Sequence, residues 1–287
     1  MAKKPSKLKK QIKKASEVNP HKSFKRTYRE DYLRDTDMPG IMYHILNSFH
    51  LFFKHWKLFL PLTVIAVVLS LAFVGLSGES NEASIMFGAF IFLIVWLTTI
   101  FLLRHIMAGH KVTLRDGLYN AMTPLLSTFV VFVVAAIQCI PIFVLIILYS
   151  AAVRTDFLTM PFYALLFLVV AGLLILLSAY LLSSSLMALI AVSAPGLYPL
   201  KALSIASELM IGRRVKFVIR LIALLLTMAI MWAAIMLPLI LFDRWMKTFE
   251  WAVGIPFIPI CVTIMTCFSS VYLTIYLYTY YRWLLKA

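Results

Sequence analysis

The side chains able to do chemistry in this 287-residue chain are few and poorly spaced for catalysis. His50 and His55, like His105 and His110, lie five apart, which puts each pair on different faces of a helix, whereas chelation from one face needs a spacing of four. Cys139, Cys261 and Cys267 fall inside apolar runs with neither a disulfide framework nor paired metal-ligand spacing, and read as packing residues. The chain has no Gly-Lys-Ser/Thr phosphate loop, no G-x-S-x-G elbow and no paired carboxylates beside an apolar run. No nucleophile, acid–base pair or metal site can be nominated and no cofactor is implied. The expectation is a protein that is not an enzyme.

What remains are polar groups within apolar runs and cations beside them. Gln138, followed by Cys139 and Pro141, either bonds another helix or a carbonyl freed by the proline, or contacts a substrate in a cavity. Ser184 and Ser185, with Ser178, Ser183 and Ala188, sit in a run longer than a bilayer needs, which suggests a bend or a cytoplasmic extension; Ser184 and Ala188 permit close helix approach, a water-lined path being the other reading. Tyr272, Tyr276, Tyr280 and Trp283 read as an interfacial aromatic belt, with a lipid or solute groove as the alternative. Lys54, Lys57, Arg213, Arg214 and Lys216 stand at the start of apolar runs, where ammonium and guanidinium groups meet lipid phosphates. Arg220 lies further along the same run and is expected to extend its head group back to the interface.

Only a lipid environment accommodates this composition. Mean hydropathy is +0.93 and charged residues make up 14% of the chain, against roughly 25% in soluble domains. Crossing about 30 Å of hydrocarbon as helix takes about 20 apolar residues. Six runs qualify, near residues 58–77, 85–107, 125–152, 158–190, 215–242 and 252–283. Of the 27 Lys and Arg residues, 24 lie on one side of this six-span plan. The positive-inside rule therefore predicts cytoplasmic termini in a cell membrane. The first apolar run is too long and too far in for a signal peptide, so it is expected to remain as an anchor.

The elements that position these residues follow from periodicity. Residues 1–37, rich in Lys and poor in apolar residues, read as a largely disordered basic tail ahead of a membrane domain at 38–287. Before the fifth run, Leu200, Leu203, Ala206, Leu209 and Met210 recur at spacings of three and four, the pattern of an amphipathic helix that Gly212 can terminate. Met38, Ile41, Met42, Ile45, Leu46, Phe49 and Phe53 repeat the plan before the first run, and an offset of 159 sets Lys54, His55 and Lys57 against Arg213, Arg214 and Lys216. Leu114, Leu118, Ala121, Met122 and Leu125 repeat it before the third in a shorter form without the basic stop. The fold expected is all-α: six transmembrane helices and amphipathic interfacial elbows, in three pseudo-repeats near 38–107, 111–192 and 197–283.

Residues 188–225 carry a small-residue segment ending in Pro195, then Ala202, Leu203, Ser207, Leu209, Gly212 and Arg213 before a long apolar run. This pattern resembles bacterial multi-pass proteins related to the membrane domain of glycerophosphoryl diester phosphodiesterases, including stand-alone members. Gly196-Leu197-Tyr198 stands where such sequences often carry an acidic residue. No segment outside the spans exceeds about 55 residues, too short for the (β/α)8 barrel that accompanies some members, so the resemblance does not imply their activity. The function expected is that of an accessory, scaffold or lipid-interacting membrane component. Its partner would be anionic inner-leaflet lipid, with or without a protein, and not nucleic acid. Carriage of a small or lipid-like solute is the alternative.

Overall fold

The computed structural model describes residues 40–77, 81–155, 159–194, 196–249, 254 and 256–286. The basic tail at 1–37 lies outside them. Among the described residues every regular element is a helix: α1 (Ile41–Lys54), α2 (Trp56–Ser77), α3 (Asn81–Met107), α4 (Leu114–Ala121), α5 (Leu125–Gln138), α6 (Ile140–Arg154), α7 (Pro161–Ala191), α8 (Pro199–Leu209), α9 (Arg214–Met246) and α10 (Phe257–Lys286). Six spans are long and apolar enough to cross a bilayer: α2, α3, α5 with α6, α7, α9 and α10. The protein is an all-α polytopic membrane protein.

Short and long helices follow one order three times. An amphipathic elbow, α1, α4 or α8, precedes a first span, and a second span, α3, α7 or α10, follows. The elbows start by different chemistry. Thr113 and Asp116 close a reciprocal capping box on α4. Pro199, whose missing N–H has no partner to lose, opens α8. Chain reversals before α4 and α8 each use a left-handed glycine, Gly109 at φ 82° and Gly196 at φ 80°, and Gly212 at φ 73° ends the turn after α8. The elbow helix itself ends earlier than the sequence suggested, at Leu209 with Met210 as its C-cap, and Gly212 closes the turn beyond it.

The register of the three units is fixed by what each buries. Four and eight residues past the N-caps Gly40, Thr113 and Tyr198 lie His44 and Ser48, Gly117 and Ala121, and Ala202 and Ala206, all buried. One turn or more into each first span, Phe59, Leu62 and Ala66 are matched by Thr128, Val131 and Ala135 and by Phe217, Arg220 and Leu224, again all buried. From first unit to third, both sets shift by 158 residues. The offset of 159 was thus one residue too long, and Lys54, His55 and Lys57 do not occupy the positions of Arg213, Arg214 and Lys216. In the second unit the span arrives four residues sooner after its elbow, about one helical turn.

Each elbow docks on the second span of the unit before it. α4 packs on α3, α8 on α7, and α1 on α10, so the cycle closes from the last unit to the first. The spans close likewise: α2 on α3, α3 on α5, α5 and α6 on α7, α7 on α9, α9 on α10, and α10 on α2. Two arginines tie the ring at its elbow end. Arg104 donates to the Ser193 carbonyl at 3.1 Å and to Ser193 Oγ at 2.9 Å, and Arg282 donates to the Met107 carbonyl at 3.4 Å. Each thus places a cation on the carbonyl-rich end of the next second span, where the helix dipole is negative.

Candidate functional site

The expected lipid contacts do not form one patch. Lys54 and Lys57 are exposed at the joint between α1 and α2, while Arg213, Arg214 and Lys216 occupy the joint between α8 and α9. Arg213 and Arg214 are half-buried, and the Arg214 guanidinium lies 4.5 Å from the centroid of the exposed Tyr180 ring, a cation–π contact that fixes its direction. Lys216 is exposed.

Arg220 departs from expectation. It does not reach back to the surface: it is 7% exposed, with its guanidinium 5.6 Å from the Tyr280 ring centroid. Around it lie His44 of α1, 5% exposed, and Tyr276 and Tyr280 of α10, 1% and 0% exposed. The His44 ring centroid is 6.4 Å from that of Tyr276 and 6.2 Å from that of Tyr280, both edge-on. Neither His44 nitrogen nor the Tyr276 hydroxyl finds a hydrogen-bond partner among the described residues. Burial, reinforced by the Arg220 charge, holds the imidazole below its ordinary pKa. The tyrosine stripe is accordingly no interfacial belt. Tyr272, Tyr276 and Tyr280 are the inward face of α10, and the Tyr272 hydroxyl donates to the Ile45 carbonyl of α1 at 2.9 Å. The aromatic-belt rule thus put these rings on the wrong side of the helix.

Gln138 and Ser185 are brought together; Ser184 is not part of the contact. Pro141 cannot donate to the Ile137 carbonyl, and the third span breaks at Cys139 into α5 and α6. Ile142 N–H turns to the Cys139 carbonyl at 2.9 Å, and the Gln138 carbonyl accepts instead from Ser178 Oγ at 3.1 Å. Ser185 Oγ donates to Gln138 Oε1 at 2.7 Å, whereas Ser184 donates to Leu181 of its own helix at 3.0 Å. The break is therefore clamped to α7 by two serines, which is the helix-bonding reading of Gln138.

Where the second unit is one turn short, a cleft of about 690 Å³ opens at the elbow end of the bundle. It lies between the end of α3, the end of α4, the start of α5 and the turn leading to α8. Its polar wall is Arg104, His105, Asn120, Thr123, Ser127, Ser193 and Tyr198, with Leu97 and Phe101 as its apolar wall; among the described residues no carboxylate lines it. His105 Nδ1 is 3.0 Å from the Phe101 carbonyl, and Asn120 and Thr123 are exposed. Sequence reasoning noted the short copy and its missing basic stop without seeing that a missing turn leaves space between neighbours distant in the chain.

No known family, curated protein or solved structure matches the chain. Residues 188–225 include the end of α7, the whole of α8 and the start of α9.

Proposed function

We propose that the protein is a non-enzymatic integral component of a cell membrane, an accessory or scaffold that gathers anionic lipid on the cytoplasmic leaflet through its three elbows. One observation carries this reading: each elbow has two apolar faces. The inward face, small residues on α4 and α8 and His44, Ile45, Ser48 and Phe52 on α1, is buried against a second span, leaving large side chains outward, Tyr43 and Leu46 on α1, Tyr119 and Met122 on or beside α4, and Tyr198 and Leu200 at the start of α8. Tyrosines at that level suit the boundary between headgroups and acyl chains. Lys54, Lys57, Arg213, Arg214 and Lys216 supply the charge that selects anionic headgroups at about 1 kcal/mol each. The cytoplasmic assignment comes from the Lys and Arg asymmetry.

The test is the triple variant Arg213→Ala, Arg214→Ala, Lys216→Ala in nanodiscs of phosphatidylcholine doped with phosphatidylglycerol. Native mass spectrometry should show the wild-type enrichment of phosphatidylglycerol falling several-fold in the variant while insertion and abundance stay unchanged. Equal enrichment in both would refute the reading.

The broken third span favours one other reading, carriage of a small or lipid-like solute, since interrupted helices build many transporter sites. Solute flux in proteoliposomes that is abolished by Gln138→Leu would establish it.

A further inference from the structure

We infer that the cleft left by the missing turn is a seat for a single phosphate-bearing headgroup. The inference deepens the lipid reading and rests on it for the depth at which the cleft meets the bilayer.

Three features converge. The cleft volume of about 690 Å³ lies within the ~300–1,000 Å³ typical of small-molecule sites. Among the described residues its walls carry no carboxylate: the Arg104 guanidinium, the His105 imidazole and the Asn120 amide line it, Asn120 spending one N–H on the Asp116 carbonyl at 2.8 Å and the Thr123 hydroxyl donating to the Asn120 carbonyl at 2.7 Å. Arg104 is held rigid by its two bonds to Ser193, with further N–H donors left over for a phosphate. A guanidinium already fixed in place loses little entropy on binding. The start of α5 also lies in the wall, and its N-cap Pro124 provides no side-chain cap, so the helix's positive end adds to the cation. Leu97 and Phe101, on the span side, offer the apolar surface on which the first carbons of an acyl chain or glycerol backbone would lie.

The geometry of the three units explains why only this elbow would carry such a seat. In the first and third units the extra turn contains Phe52 and Met210, both buried, which occupy the corresponding room. The second unit passes from Ala121 through Met122, Thr123 and Pro124 directly into α5.

A phosphate ester could come from a membrane lipid or from a soluble molecule, and the experiment separates these sources. The full chain is reconstituted in nanodiscs of phosphatidylcholine with phosphatidylglycerol, and lipids surviving activation are counted by native mass spectrometry. Arg104→Gln removes the charge. Ser127→Leu fills the cleft from the first turn of α5 and leaves the Arg104–Ser193 tie intact, guarding against a variant that merely misfolds. The wild type should hold one anionic lipid at least ten times more tightly than the rest, and both variants should lose it. The elbow triple variant should keep it while losing the looser anionic shell. Retention of the tight lipid by both cleft variants would overturn the inference and leave the elbow reading standing. An elbow triple variant with an unchanged loose shell, beside cleft variants that lose the tight lipid, would sink the elbow reading alone. In detergent free of lipid, sn-glycerol 3-phosphate that raises the wild-type Tm but not that of Ser127→Leu would assign the seat to a soluble phosphate ester. Absence of both tight lipid and such a Tm shift overturns it altogether.

Discussion

Two ionisable residues break the pattern of the three units, and they meet. His44 stands where the other elbows have Gly117 and Ala202, and Arg220 where the other first spans have Leu62 and Val131. Because α1 of the first unit lies against α9 and α10 of the third, both exceptions fall at one junction, with Tyr276 and Tyr280 between them. Burial and, after it, the Arg220 charge disfavour the protonated imidazole in the docked elbow, so the undocked elbow binds a proton more readily. Docking stability is therefore fully present above His44's ordinary value of 6.5 and declines as pH falls below it. Hydrogen exchange across residues 41–54, corrected for intrinsic rates, should accelerate between about pH 7.5 and about pH 5.5. His44→Ala, which installs the small residue of the other elbows, should remove that dependence. An unchanged profile in the variant would show that another group titrates.

At the scale of helices, contact is governed by size more than polarity. Gly117 brings α4 onto α3 so closely that a Cβ there would lie 3.0 Å from Leu102 Cδ2 and 3.2 Å from its Cγ. Gly117→Leu should destabilise this docking by roughly 1–3 kcal/mol through overpacking, read as faster exchange in α4 and a lower Tm. Gly172→Leu, at a site on α7 with nothing within 4 Å of the added Cβ, serves as the control and should change neither. This also explains what could be read from the sequence. Elbows betrayed themselves by a period of three and four, and spans by length and composition; the six apolar runs of the sequence fall on the six spans of the structure. The inner faces of the spans were hidden because a membrane helix is apolar all round, and lipid and protein accept the same side chains. Thr98, Thr99, Ala66 and Ala135 mark those faces by being small. Arg220 and the tyrosines were misread because rules for interfacial residues locate depth without identifying neighbours.

The whole molecule is a closed cycle in which no unit buries its own elbow. Closure places α10 at the centre of the contacts, against α1, α2, α3, α7 and α9. It also gives the second unit a distinct role. Shortening one connection in an otherwise regular cycle opens the cleft beside α4 while the two arginine ties hold the ring. The inferred headgroup seat depends on that irregularity, and the proton sensitivity on the irregularity at the opposite junction.

Docking across units also sets an order on biosynthesis. Ribosomes make α1 well before α10, yet α1 buries His44, Ser48 and Phe52 largely against α10. Until α10 is made, this elbow waits at the membrane surface with its inward face uncovered. Its masking becomes a chemical signal that α10 has arrived, readable by any protease or chaperone that recognises exposed apolar helix faces.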